Sequence, residues 1–465
     1  MSFRLIDQAS DQSRDARLVH VLTPATAKDR LAAATPLVQG AAAASGFKAE
    51  ADQSLLVPGA DGAIATAWLV TGERAAAEPE WGLAALADSL PEGVWRLADA
   101  DPAAATAQAL GWALGTYAYS RYRPAKGKGS AQLVWPEGAD KALVLGLAGG
   151  TCRARDLITT PAADMGPGDL ASAARSLAEV YGAEVSVVIG DQLLAENFPA
   201  VHAVGRASAR PPCLIDLSWG DAAHPKVTLV GKGVCFDSGG YDIKPSAGMK
   251  LMKKDMGGAA TVLGLAEAVM ATGLKVRLRV LVPAVENLID GNAFKPMDVL
   301  RTRKGLTVEV GNTDAEGRLI LCDALTEAVS EEPALLIDCA TLTGAARIAL
   351  GPDLPVMFTR HDDLAQRLAE HGMAAGDPLW RLPLWAPYRK MLDTRIADLS
   401  STGDSPFAGA ITAALFLAEF VPSQQRWVHI DMMAWFQKSR PGRPEGGEPQ
   451  ALRALWRLIQ EHEAA

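Results

Sequence analysis

Gly311-Asn-Thr-Asp314-Ala-Glu316-Gly-Arg318-Leu319 lies between a β-like run, Thr307–Val310, and a helix-like run, Arg318–Ser330. It reads as a strand, a loop rich in ionisable groups, then a helix. Working outward, the same grammar recurs from about residue 183 to the end. Strand-like segments (Val185–Ile189, Val227–Val230, Arg277–Val282, Leu335–Cys339, Val428–Met432) alternate with helix-like ones (Gly258–Thr272, Leu364–His371, Ala408–Phe420, Gln450–His462). Such alternation predicts an α/β fold, a sheet covered by helices on both faces. In sheets of that kind ligands sit at the carboxyl ends of strands. The loops after those strands are therefore where chemistry is expected.

Two further loops share this character. Gly231-Lys-Gly-Val-Cys-Phe-Asp237-Ser-Gly-Gly-Tyr-Asp-Ile-Lys244-Pro245 follows the strand-like run ending in Thr-Leu-Val. Lys253-Lys-Asp255-Met-Gly-Gly-Ala-Ala260 opens a helix. Glycines at such points let the backbone approach a ligand closely. Asp314 and Glu316 are two residues apart, so an extended segment would aim both at one face. Carboxylates converging from separate loops would repel one another, and cations would resolve that repulsion. An all-carboxylate set suits Mn²⁺ or Mg²⁺ and can hold Zn²⁺. A lysine joins such a set only as a neutral amine, which requires its ordinary pKa of ~10.4 to be depressed. Taken singly, each Asp-Gly or Lys-Gly also reads as an ordinary turn. Spacing alone leaves both readings open.

Several chemistries are excluded by motif. Gly-Lys-Gly at 231–233 lacks the phosphate-loop spacing, and Gly146–Gly150 lacks the dinucleotide-binding pattern. The seven histidines form no HExxH pair, and Ser238 has no GxSxG elbow.

The chain has 465 residues with 49% apolar and 21% charged composition, which excludes a disordered polymer. Its formal charge of −9 argues against a large phosphate-binding surface. No apolar run nears the ~18 residues of a spanning helix, and the polar N-terminus does not read as a secretory signal. The five cysteines are scattered, odd in number and without CxxC, so they read as reduced thiols of a cytoplasmic protein.

Residues 1 to about 150 are alanine-rich. Ala41–Ala44, Ala75–Ala77 and Ala103–Ala105 suit helices, while Leu55–Val57, Ile64–Val70 and Ala142–Leu147 suit strands. No repeat is visible. The basic stretch Tyr119–Ser130 reads as a solvated loop, or as one reaching an active site or a neighbouring subunit. Near 150–165 a helix end and a Pro-rich linker precede an amphipathic helix, Pro167–Tyr181. Two domains are expected, 1–152 and 153–465.

Taken together, VGKGVCFDSGGYDIKP, MKKDMGGAA, NTDAEGRLILCDAL and IDCATLTGAARIALG resemble, in order and spacing, the leucyl (cytosol) aminopeptidase family of metallopeptidases. The resemblance covers about 153–465. It implies a smaller N-terminal α/β domain and a larger catalytic domain with a mixed central sheet. It also implies two divalent metal ions, Mn²⁺ or Zn²⁺, per subunit. Asp237 and Glu316 would be shared, with Glu316 bridging. Lys232 and Asp255 would complete one metal site, and Asp314 the other. Lys244 and Arg318 would be the catalytic non-ligands, with bicarbonate at Arg318. The substrate class implied is peptides with a free, leucine-like N-terminal residue. The assembly implied is a homohexamer, and neither membrane nor nucleic acid is an expected partner.

Met252, Thr341, Gly344, Met433 and Phe436 match or flank positions that line the family's side-chain pocket. The sequence departs there, since Met432, Met433, Trp435 and Phe436 follow Asp431 where many relatives carry Ala-Gly. A packed final strand explains the same run. Lys253 and Lys254 read as a solvated pair, with one of them facing the site as the other option. The competing functions are a narrow dipeptidase (for Cys-Gly, say) and a DNA-binding or structural oligomer.

Overall fold

Leu335–Ala340 is buried at every position, so it must be covered on both faces. It lies in the middle of a nine-stranded sheet. The order is Trp380–Arg381, Val356–Phe358, Trp427–Asp431, Leu335–Ala340, Lys226–Gly231, Arg277–Asn287, Cys213–Trp219 and Glu184–Ile189. Gly233–Asp237 adds alongside Arg277–Asn287. The four central strands are mutually parallel, whereas Val356–Phe358 and the last two strands run antiparallel to their inner neighbours. The sheet is thus mixed, as expected.

This computed structural model describes residues 3–9, 15–72, 82–98, 101–124 and 129–463. It divides into two units, Met1–Cys152 with Lys438–Glu445, and Arg153–Gln437 with Gly446–Ala465. The nine-stranded sheet belongs to the second. Helices Gly257–Thr272 and Glu316–Val329 pack on its central strands. Gly258 shows how closely: a Cβ there would stand 2.0 Å from the Cys339 carbonyl oxygen. Pro167–Tyr181 is a helix over the expected span. The Gly166 N–H donates to Asp169 Oδ2 at its start, and left-handed Gly182 ends it.

The first unit carries a six-stranded sheet in the order Leu5–Ile6, Gln132–Val134, Val94–Leu97, Arg17–Leu22, Ile64–Val70, Ser54–Pro58. All its pairs are parallel except the last. The Ala41–Ala44 run lies in helix Pro36–Ser45, which starts on the Thr35 cap and stops at left-handed Gly46.

Three local readings change. Ala142–Leu147 is not a strand but part of helix Lys141–Thr159. A six-residue apolar run does not distinguish the two, and here Ala, Leu and Arg continue it for 19 residues without proline. The strand starting at Arg277 runs on to Asn287, past Pro283. Arg17–Leu22, Val94–Leu97, Cys213–Trp219 and Val356–Phe358 are strands that apolar runs did not announce. Ala75–Ala77 lies outside the described residues, as do 125–128 of the basic stretch. The rest of that stretch is neither helix nor strand. All five cysteines are buried, and none forms a disulfide. Among the described residues no helix is long and apolar enough to cross a membrane.

Candidate metal centre

The parallel strands deliver their carboxyl ends to one place. Lys232 follows Lys226–Gly231, Thr341 follows Leu335–Ala340, and Asp431 ends Trp427–Asp431. Asp237 and Asn287 end neighbouring strands directly opposite each other. Two further acids come from helix starts. Asp255 sits in the 3₁₀ turn Met252–Met256, and Glu316 is the first residue of Glu316–Val329. Asp314 and Glu316 are therefore not in an extended segment. Thr313–Ala315 is a 3₁₀ turn, and the Asn312 side chain accepts the Asp314 N–H at 2.7 Å. The Asn312 cap curls the chain into the helix, and so the pair is presented by a turn rather than by strand alternation.

Asp237, Asp255 and Glu316 each offer an oxygen, and these oxygens lie within 4.8 Å of one another, all buried. Two lysines enter the cluster. Lys232 Nζ stands 2.6 Å from Asp255 Oδ2, 2.9 Å from Glu316 Oε1 and 3.1 Å from the Thr341 carbonyl, to which it donates. Lys244 Nζ lies 2.7 Å from Asp237 Oδ2 and also pairs with Asp314. Gly317 makes room for Lys232, because a Cβ there would meet the lysine Cε at 2.5 Å. Asp237 Oδ1 accepts from Asn287 Nδ2 at 2.8 Å and from the Gly239 N–H at 2.9 Å. Thr341 Oγ1 donates to Asp255 Oδ1 at 2.8 Å.

These groups perturb one another. Burial, then repulsion from Asp237, pushes Glu316 up to about 8. Burial, then the charge of Asp255, pushes Asp237 up to about 6. Burial would raise Asp255 too, but Lys232 and Lys254 outweigh it and hold it below the usual carboxylate range. Burial opposes charge on Lys232, yet Asp255 and Glu316 win and hold it well above an ordinary lysine. A divalent cation among the same carboxylates would reverse the sign of the field at that amine. The donor set suits such an ion. It is oxygen-rich, dry and over-supplied with negative charge, and Glu316 Oε2 is buried with no protein partner among the described residues.

A cavity of about 280 Å³ opens on the cluster. Lys232, Asp237, Lys244, Asp255 and Asp314 line one end, and Met252, Lys254, Thr341, Gly344, Arg347 and Met433 line the other. Glu316 and Arg318 are buried and do not line it. The Arg318 guanidinium donates to the Ser401 carbonyl at 2.6 Å, while its Nε is buried without a partner among the described residues. Burial lowers its pKa to about 10 against the pull of Glu316.

Of the five residues expected in the side-chain pocket, Met252, Thr341, Gly344 and Met433 line the cavity and Phe436 does not. Left-handed Ala434, held by its N–H on Gln450 Oε1, turns the chain away after Met433. Trp435–Phe436 then pairs with Gly446–Gly447, and Phe436 is buried. The lysine pair also differs from the solvated reading. Lys253 is half-buried, its ammonium 2.5 Å from the Thr159 carbonyl and over the Trp435 ring. Lys254 is only 4% exposed, and burial lowers its pKa to about 8 although Asp255 opposes this. Two residues that position the site escaped the sequence reading, Asn287 and Asp431. Asp431 accepts the N–H groups of Leu342 and Thr343 and the Thr343 hydroxyl. Asn287 carries a signal only once its strand is extended beyond Val282.

Comparison with known proteins gives the family. Residues 152–456 match the family model described as the cytosol aminopeptidase family, catalytic domain, and 18–136 match an aminopeptidase N-terminal domain. The chain is 48% identical over 294 residues to peptidase B of Cronobacter sakazakii (strain ATCC BAA-894), covering 61% of this chain and 69% of that one. Its structure aligns with the cytosol aminopeptidase of Coxiella burnetii at a TM-score of 0.93, with 44% identity, covering 99% of this chain and 100% of the other. The bottromycin maturation enzyme BotP in complex with Mn aligns at 0.86, with 34% identity over 96% of this chain and 100% of the other. With a catalytic-domain match that takes in every carboxylate of the cluster, the chain belongs to the cytosol aminopeptidase family, a family of metal-dependent hydrolases.

Proposed function

We propose that this chain is a two-metal exopeptidase that hydrolyses the first peptide bond of peptides with a free N-terminal L-amino acid. The observation that carries this is the convergence of Asp237, Asp255 and Glu316 within 4.8 Å, with Glu316 Oε2 buried and without a partner among the described residues. Asp237 and Glu316 would hold both ions, Lys232 and Asp255 one of them, and Asp314 the other. When bound, paired Mn²⁺ or Zn²⁺ supplies an activated water and a polarised scissile carbonyl.

The protein's own groups do the rest. Lys244, on the cavity wall beside Asp237 and Asp314, would donate to the oxyanion that develops on the carbonyl oxygen. Arg318 keeps a buried Nε with no partner among the described residues, and its planar fork suits a bicarbonate that would act as base. Asn287 and the Gly239 N–H orient Asp237, and Thr341 orients Asp255. The side chain of the leaving residue would occupy the end lined by Met252 and Met433, whose thioethers adapt to leucine-sized groups. The homohexamer rests on the family resemblance, and the cytoplasmic location on that resemblance and the scattered cysteines. Sedimentation should give six times the chain mass for the hexamer.

The activity test is release of the first residue from a free-amine leucyl peptide. The enzyme is stripped by chelator and reconstituted with Mn²⁺ or Zn²⁺, and the N-acetylated peptide is run in parallel. Metal-dependent cleavage of the free peptide alone is expected. Equal cleavage of both peptides, or full activity after chelation, contradicts the proposal.

A further inference from the structure

His429 is wholly buried in the catalytic sheet, yet it sits among charges. Its Nδ1 stands 2.6 Å from Oδ1 of Asp338, which lies opposite it on the neighbouring strand. A carboxylate only accepts, so the ring donates from Nδ1. Asp338 is fully buried too, and its other oxygen accepts from Trp427 Nε1 at 2.7 Å. Two neutral donors would leave a whole negative charge in a dry core, whereas an imidazolium cancels it. The His429 Nε2 is buried and meets no partner among the described residues, so no protein donor there favours the neutral ring. Two residues along the same strand, and therefore on the same face, comes Asp431. Burial raises its carboxyl, and His429 is foremost among the groups that oppose this. Burial opposes charge on the ring in turn. Asp338 and then Asp431 outweigh it, against Arg318, and hold the ring above an ordinary histidine. Phe358 stacks on the ring at 5.8 Å between centroids. Strand Val356–Phe358 and helix Gly409–Ala418, which pack beside it, contain no titratable residue, and Arg347 of helix Gly344–Leu350 lines the cavity instead.

Asp431 links this pair to the site. It accepts the N–H groups of Leu342 and Thr343 at 3.0 and 3.1 Å and the Thr343 hydroxyl at 2.7 Å. The turn held in this way, residues 341–344, lines the cavity. At its start the Thr341 carbonyl accepts from Lys232, and the Thr341 hydroxyl donates to Asp255. At its end the Thr343 hydroxyl caps helix Gly344–Leu350. A carboxylate serves all three donors, but a protonated carboxyl turns one oxygen into a donor and cannot. Resting on the aminopeptidase reading, we propose that His429 is a positioning residue for the reaction. It acts as an imidazolium that keeps Asp431 charged, and through Asp431 it fixes the turn 341–344 against Lys232 and Asp255.

The experiment follows kcat/KM for a free-amine leucyl peptide from neutral to alkaline pH, at saturating metal. His429→Asn keeps a donor towards Asp338 but carries no charge, and kcat/KM should fall about 10–100-fold. The imidazolium exists below the folded pKa of the ring and is lost above it, so its loss belongs to the alkaline limb. Asp338→Asn removes the carboxylate that favours the charged ring, and the alkaline limb should move to lower pH. Phe358→Leu disturbs the stack without touching a charge, and the limb should stay in place. A limb unmoved by Asp338→Asn, or moved as far by Phe358→Leu, overturns the inference. So does full activity in His429→Asn. A second readout needs no variant and stands even if all three fail to fold. Deuterium exchange at the His429 ring carbon between the nitrogens, followed by mass spectrometry against pH in the unmodified protein, reports when the ring loses its proton. A midpoint above the ~6.5 of free histidine is expected, and one at or below it overturns the inference. Cleavage of the leucyl peptide with an ordinary midpoint sinks the inference and leaves the aminopeptidase reading intact. If no peptide is cleaved, that reading fails, while the midpoint still decides whether His429 carries the charge beside Asp431.

Discussion

The two ends of the cavity hold the same residue type in opposite circumstances. At the carboxylate end, Lys232 and Lys244 are embraced by acids and held above the ordinary lysine pKa. At the side-chain end, Lys254 is as deeply buried but barely paired, and its pKa falls to about 8. Burial costs charge in both places, and what differs is how much opposite charge lies within reach. The first end is a surplus of negative charge that suits cations, whereas the second holds a buried ammonium with one acid at the limit of reach.

Removing the shared acid should break the first end outright. Glu316→Gln is expected to lower metal affinity by more than about 100-fold and activity to the chelated baseline, checked by metal content after dialysis. A variant that retains its metal would refute the bridging role. Lys244→Met should cost about 10²–10³-fold in kcat with metal content kept, the loss expected for one oxyanion donor. Asn287→Ala should weaken metal binding by about 10–100-fold, since Asp237 loses its orienting amide.

The smallest effect sharpens the contrast most. In chelated protein, Lys232→Met should destabilise, because Asp255 and Glu316 lose their countercharge. Lys254→Met should instead stabilise by on the order of 1 kcal/mol, because an unpaired buried charge disappears. The pH dependence has a definite sign. The folded pKa of Lys254 lies below the unfolded one, so between about 8 and ~10.4 the unfolded chain binds more protons. Stability from this group therefore rises with pH across that window. Denaturant midpoints should show the rise in the unmodified protein and not in Lys254→Met. A variant less stable than its parent at neutral pH would mean that Lys254 is satisfied after all.

Much of the catalytic sheet was legible in sequence because buried parallel strands leave dense apolar runs, as Val227–Val230 and Leu335–Cys339 do. Strands with mixed composition, such as Cys213–Trp219, left no such run. Ala142–Leu147 left one that a helix uses equally well. The acids and lysines of the three loops were legible as candidates because glycine neighbours and strand ends mark them. Lys254 was not, since a Lys-Lys pair reads as solvated until the 3₁₀ turn Met252–Met256 buries its second member. Phe436 was misplaced because nothing in Ala434 announces a left-handed turn; alanine adopts one only when its surroundings enforce it.

By itself the sequence determined the family, the α/β alternation and the identities of the carboxylates and lysines in the loops. These depend on local pattern and residue type. The tertiary structure decided which of those charges face one another. It brought Asp237, Asp255 and Glu316, far apart in the chain, within 4.8 Å, and it gave Lys232 two close carboxylates and Lys254 one distant one. Electrostatic energy depends on separation and burial, and neither is written in the order of residues.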